Sequence, residues 1–349
     1  MTIFQSIFTS TFFILLLIIV VLTVIYAFSS FEKGDLKSYQ EKSDYNFVNL
    51  SKGLTAYKDY GNKNDPAIII IHGATLPSEG YIGFCEGLSQ KGYRVICYDQ
   101  YGRGYSDRPV SDYNMEFYLD QLNELLDYLE IKKSILHGSS MGAPIAINYA
   151  NKYPNQVSAI GLQVPLVNSN SKILSILKTP ILGNFVLRTF GIPFSKNRAE
   201  QWVTNNPEQR DLVDRYIAQL TLPGTEQSLL SSIRNIANTN FIPDYKKFSQ
   251  SDIPIHIAYA SDDDEIDEYM KPLSPHIVAY PLIGEIVNVA KHGSQMYYYQ
   301  PLNIKNHVNM NVSPNVTTDS KVSAETTEHN RTLLGEYGDV VFSGRFGQS

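Results

Sequence analysis

The run AIIIIHG at Ala67–Gly73 holds five consecutive aliphatic residues and closes on a glycine. A strand with one wet face alternates apolar and polar side chains, whereas a strand covered on both faces has no reason to alternate. This run therefore belongs in the interior of a sheet that is sandwiched between other layers. Comparable runs follow: RVICYD (Arg94–Asp99), KSILHG (Lys133–Gly138), VSAIGLQV (Val157–Val164) and IHIAYA (Ile255–Ala260), with the more polar LTAYKDY (Leu54–Tyr60) ahead of them. Between them Phe117, Leu122, Leu125, Leu126 and Leu129 recur at helical spacing, and SMGAPIAINYANKYP reads as a small-residue helix stopped by Pro154. Strand and helix in repeated alternation predict an α/β protein built on a doubly wound, mostly parallel sheet.

The alternation stops after Pro165. From Leu166 to Gln250 the pattern is helical, punctuated by Pro180, Pro193 and Pro223. An insertion there is expected to form a helical cap over the C-terminal edge of the sheet, where α/β folds bind ligands. Residues 47–301 are thus expected as one α/β domain with its cap at about 166–250. A polar linker at 32–46 precedes it, and a tail at 302–349, rich in Asn, Ser and Thr, follows without an assignable role.

The N-terminus has a different character. No charged side chain occurs from Thr2 to Phe31, and Phe12–Phe28 is almost unbroken aliphatic and aromatic sequence. A helix of about 20 such residues crosses the hydrocarbon core of a bilayer, so residues 1–31 are expected to be a single-pass transmembrane anchor. A cleaved signal peptide is the competing reading. The missing Lys or Arg ahead of the run and the run's length speak against it, and AFS at 27–29 speaks for it. Lys33, Lys37 and Lys42 beyond the span favour a cytoplasmic domain. Four Asn-x-Ser/Thr sequons, at Asn49, Asn311, Asn315 and Asn330, would suit the opposite face.

The charge is −6, with 29 Lys and Arg against 35 Asp and Glu and no basic stripe, so a nucleic-acid partner is not expected. Cys85 and Cys97 sit in no CxxC or Cys/His spacing and are read as reduced core thiols. Neither an HExxH nor any other metal-ligand pattern occurs among the seven histidines, so no metal and no cofactor are called for.

Catalytic chemistry is suggested by HGSSMGAP, where Gly138-Ser139-Ser140-Met141-Gly142 fits G-x-S-x-G with a strand before it and a helix after it. Such a strand-to-helix turn exposes the central Ser140 at a helix N-terminus, among backbone N–H groups facing any anion that forms there. Ser139 is expected to point elsewhere. Ala74, after the His72-Gly73 turn, and Met141 are the candidate donors to an oxyanion. A serine nucleophile needs a base, and the base an orienting carboxylate. Four consecutive acids, Asp262 to Glu265, follow the last predicted strand; Asp263 is the first choice and Asp264 the second. His292, 29 residues beyond Asp263 in VNVAKHGS, is preferred as base over His307 in the polar IKNHVNMN.

IIIIHGA, YDQYGRGYSDRP, HGSSMGAPIAINYANKYP and IPIHIAYASDDDEID, in this order over about Tyr45 to Pro301, resemble the α/β-hydrolase superfamily. The resemblance implies a Ser140, Asp263, His292 triad, an oxyanion hole at Ala74 and Met141, and the helical cap. The loop from Asp99 to Asp107 is similar to the superfamily's turn after its fourth strand and is read as architectural. Serine at 140 separates the chain from members whose nucleophile is aspartate. Ala260 stands where the superfamily often has glycine, and the chain runs nearly fifty residues past the usual end. One anchor helix ahead of such a domain is similar to membrane-bound monoacylglycerol lipases.

The expected function is therefore a membrane-anchored serine hydrolase of carboxylic esters, with lipid-like acyl esters as small-molecule substrates and the bilayer as partner. Apolar cap residues from Ile173 to Leu187 would line an acyl channel or serve packing. A non-catalytic binding protein on the same fold and a secreted esterase are the alternatives.

Overall fold

The computed structural model describes residues 3–168, 172–205, 207, 210–260 and 277–282. An eight-stranded sheet forms the centre, in the order β1-β2-β4-β3-β5-β6-β7-β8. Its strands are β1 (Asn46–Leu50), β2 (Gly53–Tyr60), β3 (Ala67–Ile71), β4 (Arg94–Tyr98), β5 (Ser134–Ser139), β6 (Val157–Gln163), β7 (Ile255–Ala260) and β8 (Ile277–Leu282). The pairs β1–β2 and β2–β4 are antiparallel, and every other pairing is parallel. The expected doubly wound, mostly parallel sheet is present, and all six strands read from the sequence are in it.

Burial follows the residue pattern. Ile68, Ile69, Ile70 and Ile71 are all fully buried, yet they serve two different cores. Ile69 and Ile71 pack with Tyr98, Leu136 and the helices α4 (Met115–Tyr128) and α5 (Gly142–Lys152). Ile68 and Ile70 face the other way, onto Phe84, Cys85 and Leu88 of α3 (Ile82–Ser89). Successive side chains of a strand point to opposite faces, so an unbroken run of isoleucine requires helices on both. Burying each of these side chains stabilises the fold by roughly 1.5–3 kcal/mol. Both cysteines are buried and unbridged.

Two edge strands escaped the sequence reading for local reasons. β1 is short, reads NFVNL, pairs only with β2 and buries only Val48, so it carries no apolar run. β8 contains Pro281, which cannot donate to a ladder and is tolerated at a sheet edge.

Between β6 and β7 the described residues form helices joined by turns, with no strand among them. They comprise α6 (Lys172–Lys178), α7 (Leu182–Val186), α8 (Ile192–Asn205), α9 (Arg210–Gln219), α10 (Thr225–Ser232) and α11 (Ile242–Phe248), with π-helical turns at Leu187–Gly191 and Ile233–Ala237. Pro193 follows directly on the π-helical turn Leu187–Gly191, where Ile192 N–H bonds back to Leu187 O, so the helix adjusts locally around a residue that lacks an N–H. The N-terminal helix α1 (Ile3–Phe28) is followed by the short α2 (Leu36–Glu41). The segment 32–46, polar in composition, is fastened along its length. Gly34 N–H donates to Thr221 O at 2.8 Å, Gln40 Nε2 donates to Tyr105 O at 2.9 Å and to Asp107 Oδ1 at 3.0 Å, and the Tyr39 and Tyr105 rings stack at 4.5 Å. Backbone, Gln40 and the Tyr39 ring make these contacts while Lys37 and Glu41 stay exposed, which composition alone does not announce.

The tightest approach in the fold lies between β3 and the start of α5. A Cβ on Gly142 would stand 2.0 Å from Ile71 O, and one on Gly138 would stand 2.5 Å from Gly142 O. Both atoms are backbone and cannot swing aside. Gly191 meets only the flexible tip of Leu187, at 3.0 Å. Gly142→Ala is therefore expected to destabilise the protein by about 1–3 kcal/mol or more, whereas Gly191→Ala stays within about 1 kcal/mol of wild type. Thermal unfolding of the two variants checks this, and equal melting temperatures would contradict the packing described.

Candidate active site

β5 ends at Ser139 and α5 begins at Gly142, leaving only Ser140 and Met141 to reverse the chain. That reversal places Ser140 at φ +48°, a left-handed backbone conformation that side-chain-bearing residues rarely adopt. Three bonds hold it there: Ser140 N–H donates to Gln163 O at 2.9 Å, and Ser140 O accepts from Ala143 N–H at 3.0 Å and Leu166 N–H at 3.1 Å. Ser140 is exposed, while Ser139 beside it is buried and hydrogen-bonded to the Tyr81 hydroxyl. The two adjacent serines are thus separated by the turn, one outward and one inward.

The chain leaving β3 lies directly against this turn. A Cβ on Gly73 would stand 3.3 Å from Ser140 Cβ and 3.9 Å from its Oγ, so only backbone fits comfortably there. Ala74 is the next residue, and Met141 is the N-cap of α5, whose first N–H groups have no intrahelical acceptor. The structure therefore brings together Ser140, Met141 and the Gly73-Ala74 turn. An anionic oxygen beside Ser140 would face the positive end of α5. Asp263, Asp264, His292 and His307 lie outside the described residues. β7, the strand ahead of the acid cluster, runs parallel to β5 and β6 and pairs Ala258 with Gln163, which in turn pairs with Ser139.

Polar groups hold the β3 turn from behind. His72 is fully buried; its Nε2 accepts from Gln100 N–H at 2.9 Å, so the proton resides on Nδ1, which donates to Gly73 O at 2.7 Å. The peptide whose carbonyl receives that bond is the one whose N–H belongs to Ala74. Burial pulls the His72 imidazole down to about 3, which keeps it neutral. Tyr81 is also hydrogen-bonded to the Gly73 backbone, whose N–H donates to the phenol oxygen, and burial pushes the hydroxyl up to about 12. Arg103, 3 % exposed, donates from Nε to Ala74 O at 2.6 Å and reaches Ser228 and Ser232 of α10 with its terminal nitrogens at 3.4 and 3.3 Å.

The loop after β4 is ordered around Asp99. This fully buried carboxylate accepts from Ser78 N–H at 2.9 Å, Ser78 Oγ at 2.7 Å and Tyr105 N–H at 2.8 Å, and burial raises its pKa. Gly104 has no room for a Cβ, which would stand 2.1 Å from Asp99 Oδ2. Of these groups, His72 and Asp99 stand in motifs legible in the sequence, whereas Tyr81 and Arg103 bond to partners distant in the chain. Among the described residues no cluster of His, Cys, Asp and Glu is arranged to hold a metal ion.

Comparison with known proteins places this geometry. The chain belongs to the α/β hydrolase fold family, which matches residues 66–273. It is 34% identical over 95 residues to an uncharacterised protein of Mycobacterium tuberculosis, and the matched region spans 27% of this chain and 28% of that relative's length. It is 28% identical over 222 residues to Lipase 1 of Psychrobacter immobilis, covering 53% of this chain and 68% of the lipase. A carboxylesterase structure from Nitrososphaera gargenis superimposes with a TM-score of 0.57 at 18% identity, covering 83% of this chain and all of the other, a likeness of fold.

His72 gives a pH test of the described network. Its pKa in the folded protein, about 3, lies below the ordinary value of about 6.5, so the unfolded chain binds the additional proton. The stability it confers is complete above about pH 6.5 and is lost as the pH falls toward about 3. Unfolding free energy from denaturant titrations is expected to fall between pH 6 and 4 more steeply in wild type than in His72→Asn, by about 1.4 kcal/mol per pH unit. Equal slopes would mean that the imidazole is already charged in the fold.

Proposed function

We propose that this chain is a membrane-anchored serine hydrolase acting on carboxylic esters with lipid-like acyl groups. The observation that carries the reading is the exposed Ser140, held at φ +48° at the N-terminus of α5 with the Gly73 backbone packed against it. In the proposed reaction Ser140 Oγ attacks the acyl carbonyl and His292 accepts its proton. The carbonyl oxygen becomes an oxyanion facing the N–H groups of Met141 and Ala74. His292 returns the proton to the leaving alcohol, then activates water to release the acid from the acyl-enzyme, while Asp263 holds its imidazole in the required tautomer. The assignments of Asp263 and His292 rest on the sequence, since the acid cluster follows β7 and the order Ser, Asp, His suits the family.

Esters are favoured by the lipase relative, and lipid-like ones by α1. Ser10–Phe28 of that helix has a mean hydropathy of 3.0 with none of it buried in the protein, long and apolar enough to cross a membrane. A signal sequence passes the same test, and N-terminal sequencing of the native protein separates the two. The lysines at 33, 37 and 42 support a cytoplasmic domain.

Fluorophosphonate labelling of the full chain tests the mechanism. Wild type and Ser139→Ala are expected to label, and Ser140→Ala is not. Hydrolysis of a p-nitrophenyl ester series should fall by about 10⁶ in kcat for Ser140→Ala, with His292→Ala similarly impaired and His307→Ala near wild type. Labelling that survived Ser140→Ala would refute the proposed nucleophile.

A further inference from the structure

The surface where α1 meets the cap differs from the rest of the protein in both charge and polarity. No Asp or Glu occurs between Glu130 and Glu200, and Lys172, Lys178, Arg188, Lys196 and Arg198 all fall in its second half. The chain as a whole carries −6, so this segment is an island of the opposite sign. It is also where apolar side chains stand outside the fold: Ile176 is 45 % exposed, Ile181 86 %, Leu182 49 %, Phe190 60 % and Phe194 65 %. Beyond α1, only Val110 and Tyr128 are comparably exposed large apolar residues among the described ones. Ile181 is further held at φ +64°, unusual for a β-branched residue, with its side chain in the open.

This patch is fixed to the end of the apolar helix. Tyr26, two residues from the end of α1, stacks on Phe185 of α7 at 6.4 Å between ring centroids. The Arg188 guanidinium lies 4.0 Å over the Tyr26 ring and donates to Tyr26 O at 3.4 Å, while its Nε pairs with Glu226 Oε2 at 2.5 Å. Ser29 Oγ and Thr189 Oγ1 are 3.4 Å apart. Residues 181–194 are thereby held at the level where the span ends. Lys196 and Arg198 are exposed just beyond them.

Exposed aromatic and aliphatic side chains interleaved with basic ones, beside the end of an apolar span, fit the boundary between acyl chains and anionic headgroups. We propose that the cap segment Lys172–Arg198 lies on the anionic bilayer surface that α1 enters, with Phe190 and Phe194 in the acyl boundary and Lys196 and Arg198 against lipid phosphates and carboxylates. The inference rests on α1 spanning the membrane, as proposed above. It makes the cap a second, peripheral membrane contact, so that an acyl substrate reaches the sheet edge out of the lipid rather than through water.

The test uses the full chain reconstituted in phosphatidylcholine vesicles with and without phosphatidylserine. Phe190→Cys, Phe194→Cys and, as control, Val110→Cys are each labelled with an environment-sensitive NBD fluorophore; the native Cys85 and Cys97 are buried. Labels at 190 and 194 are expected to shift to shorter wavelength and to be quenched by lipids spin-labelled on the acyl chain, the label at 110 not. Phosphatidylserine should strengthen the quenching at least twofold, and Lys196→Glu with Arg198→Glu should remove that gain. Alkaline extraction of the same vesicles reports on α1 separately. Resistance to extraction with unquenched labels overturns the cap contact and leaves the anchor standing. Extraction by alkali refutes the anchor, and with it the proposal as stated, whatever the quenching shows. A wavelength shift that follows protein concentration without lipid quenching assigns the patch to a second copy of the chain and overturns the proposal.

Discussion

The carbonyl of Ile71 occupies the space in which any residue other than glycine at position 142 would need its Cβ. That one approach forces the end of β3 and the start of α5 together, and the rest of the site is arranged around it. Because β3 ends there, the chain must leave the sheet at His72-Gly73, and Gly73 comes to lie beside Ser140. Because α5 begins there, Ser140 and Met141 have only two residues in which to turn, and Ser140 takes a left-handed conformation. A helix N-terminus, an exposed hydroxyl and a backbone turn from another strand converge as a consequence of packing, before any chemistry is considered.

Such a convergence is useful only if it is rigid, and the groups behind it are arranged to make it so. A left-handed residue costs roughly 1–2 kcal/mol, offset by the three backbone bonds that Ser140 makes to Gln163, Ala143 and Leu166. The turn after β3 is tied through His72 to Gln100, through Tyr81 to Ser139, and through Arg103 to Ser228 and Ser232 of the cap. His72 is kept neutral by burial, so its donor and acceptor nitrogens stay distinct and the orientation of the Gly73-Ala74 peptide does not depend on pH near neutrality. Arg103 is bonded to neutral oxygens alone among the described residues, so its charge is buried without an ion pair and its value lies in geometry: one guanidinium touches both the turn and the cap.

The parts legible in the sequence are those where local pattern and global packing demand the same thing. AIIIIHG is unbroken because both faces of β3 are covered, and Gly138 and Gly142 flank Ser140 because neighbouring backbone leaves no room for a side chain. β1, β8 and α2 were not legible, since an edge strand needs no apolar run and a docked polar segment looks like a linker until its hydrogen bonds are seen. Tyr81 and Arg103 act through partners far apart in the chain, and no short window of sequence contains both ends of those bonds. The apolar cap residues were legible as apolar but not in their destination: Leu177 and Leu187 are buried, whereas Ile176, Ile181 and Leu182 face outward. Asp263 and His292 remain a reading of the sequence.

The distribution of acids bears on why the chemistry would sit where it does. The stretch from Ile131 to Ala199 contains β5, the Ser140 turn, α5, β6 and the first part of the cap, and it carries no carboxylate at all. A negative charge developing at Ser140 is therefore not opposed by any acid of the elements that surround the turn, and the α5 N-terminus acts on it undiminished. The same absence means that those elements cannot themselves supply a carboxylate to orient a base. In the proposed mechanism it would come from elsewhere in the chain, and Asp262 to Glu265 directly follows β7 in the sequence. One compositional fact thus bears on both the electrostatics around Ser140 and the basic face of the cap: acids are absent from about a quarter of the α/β domain, in one continuous stretch.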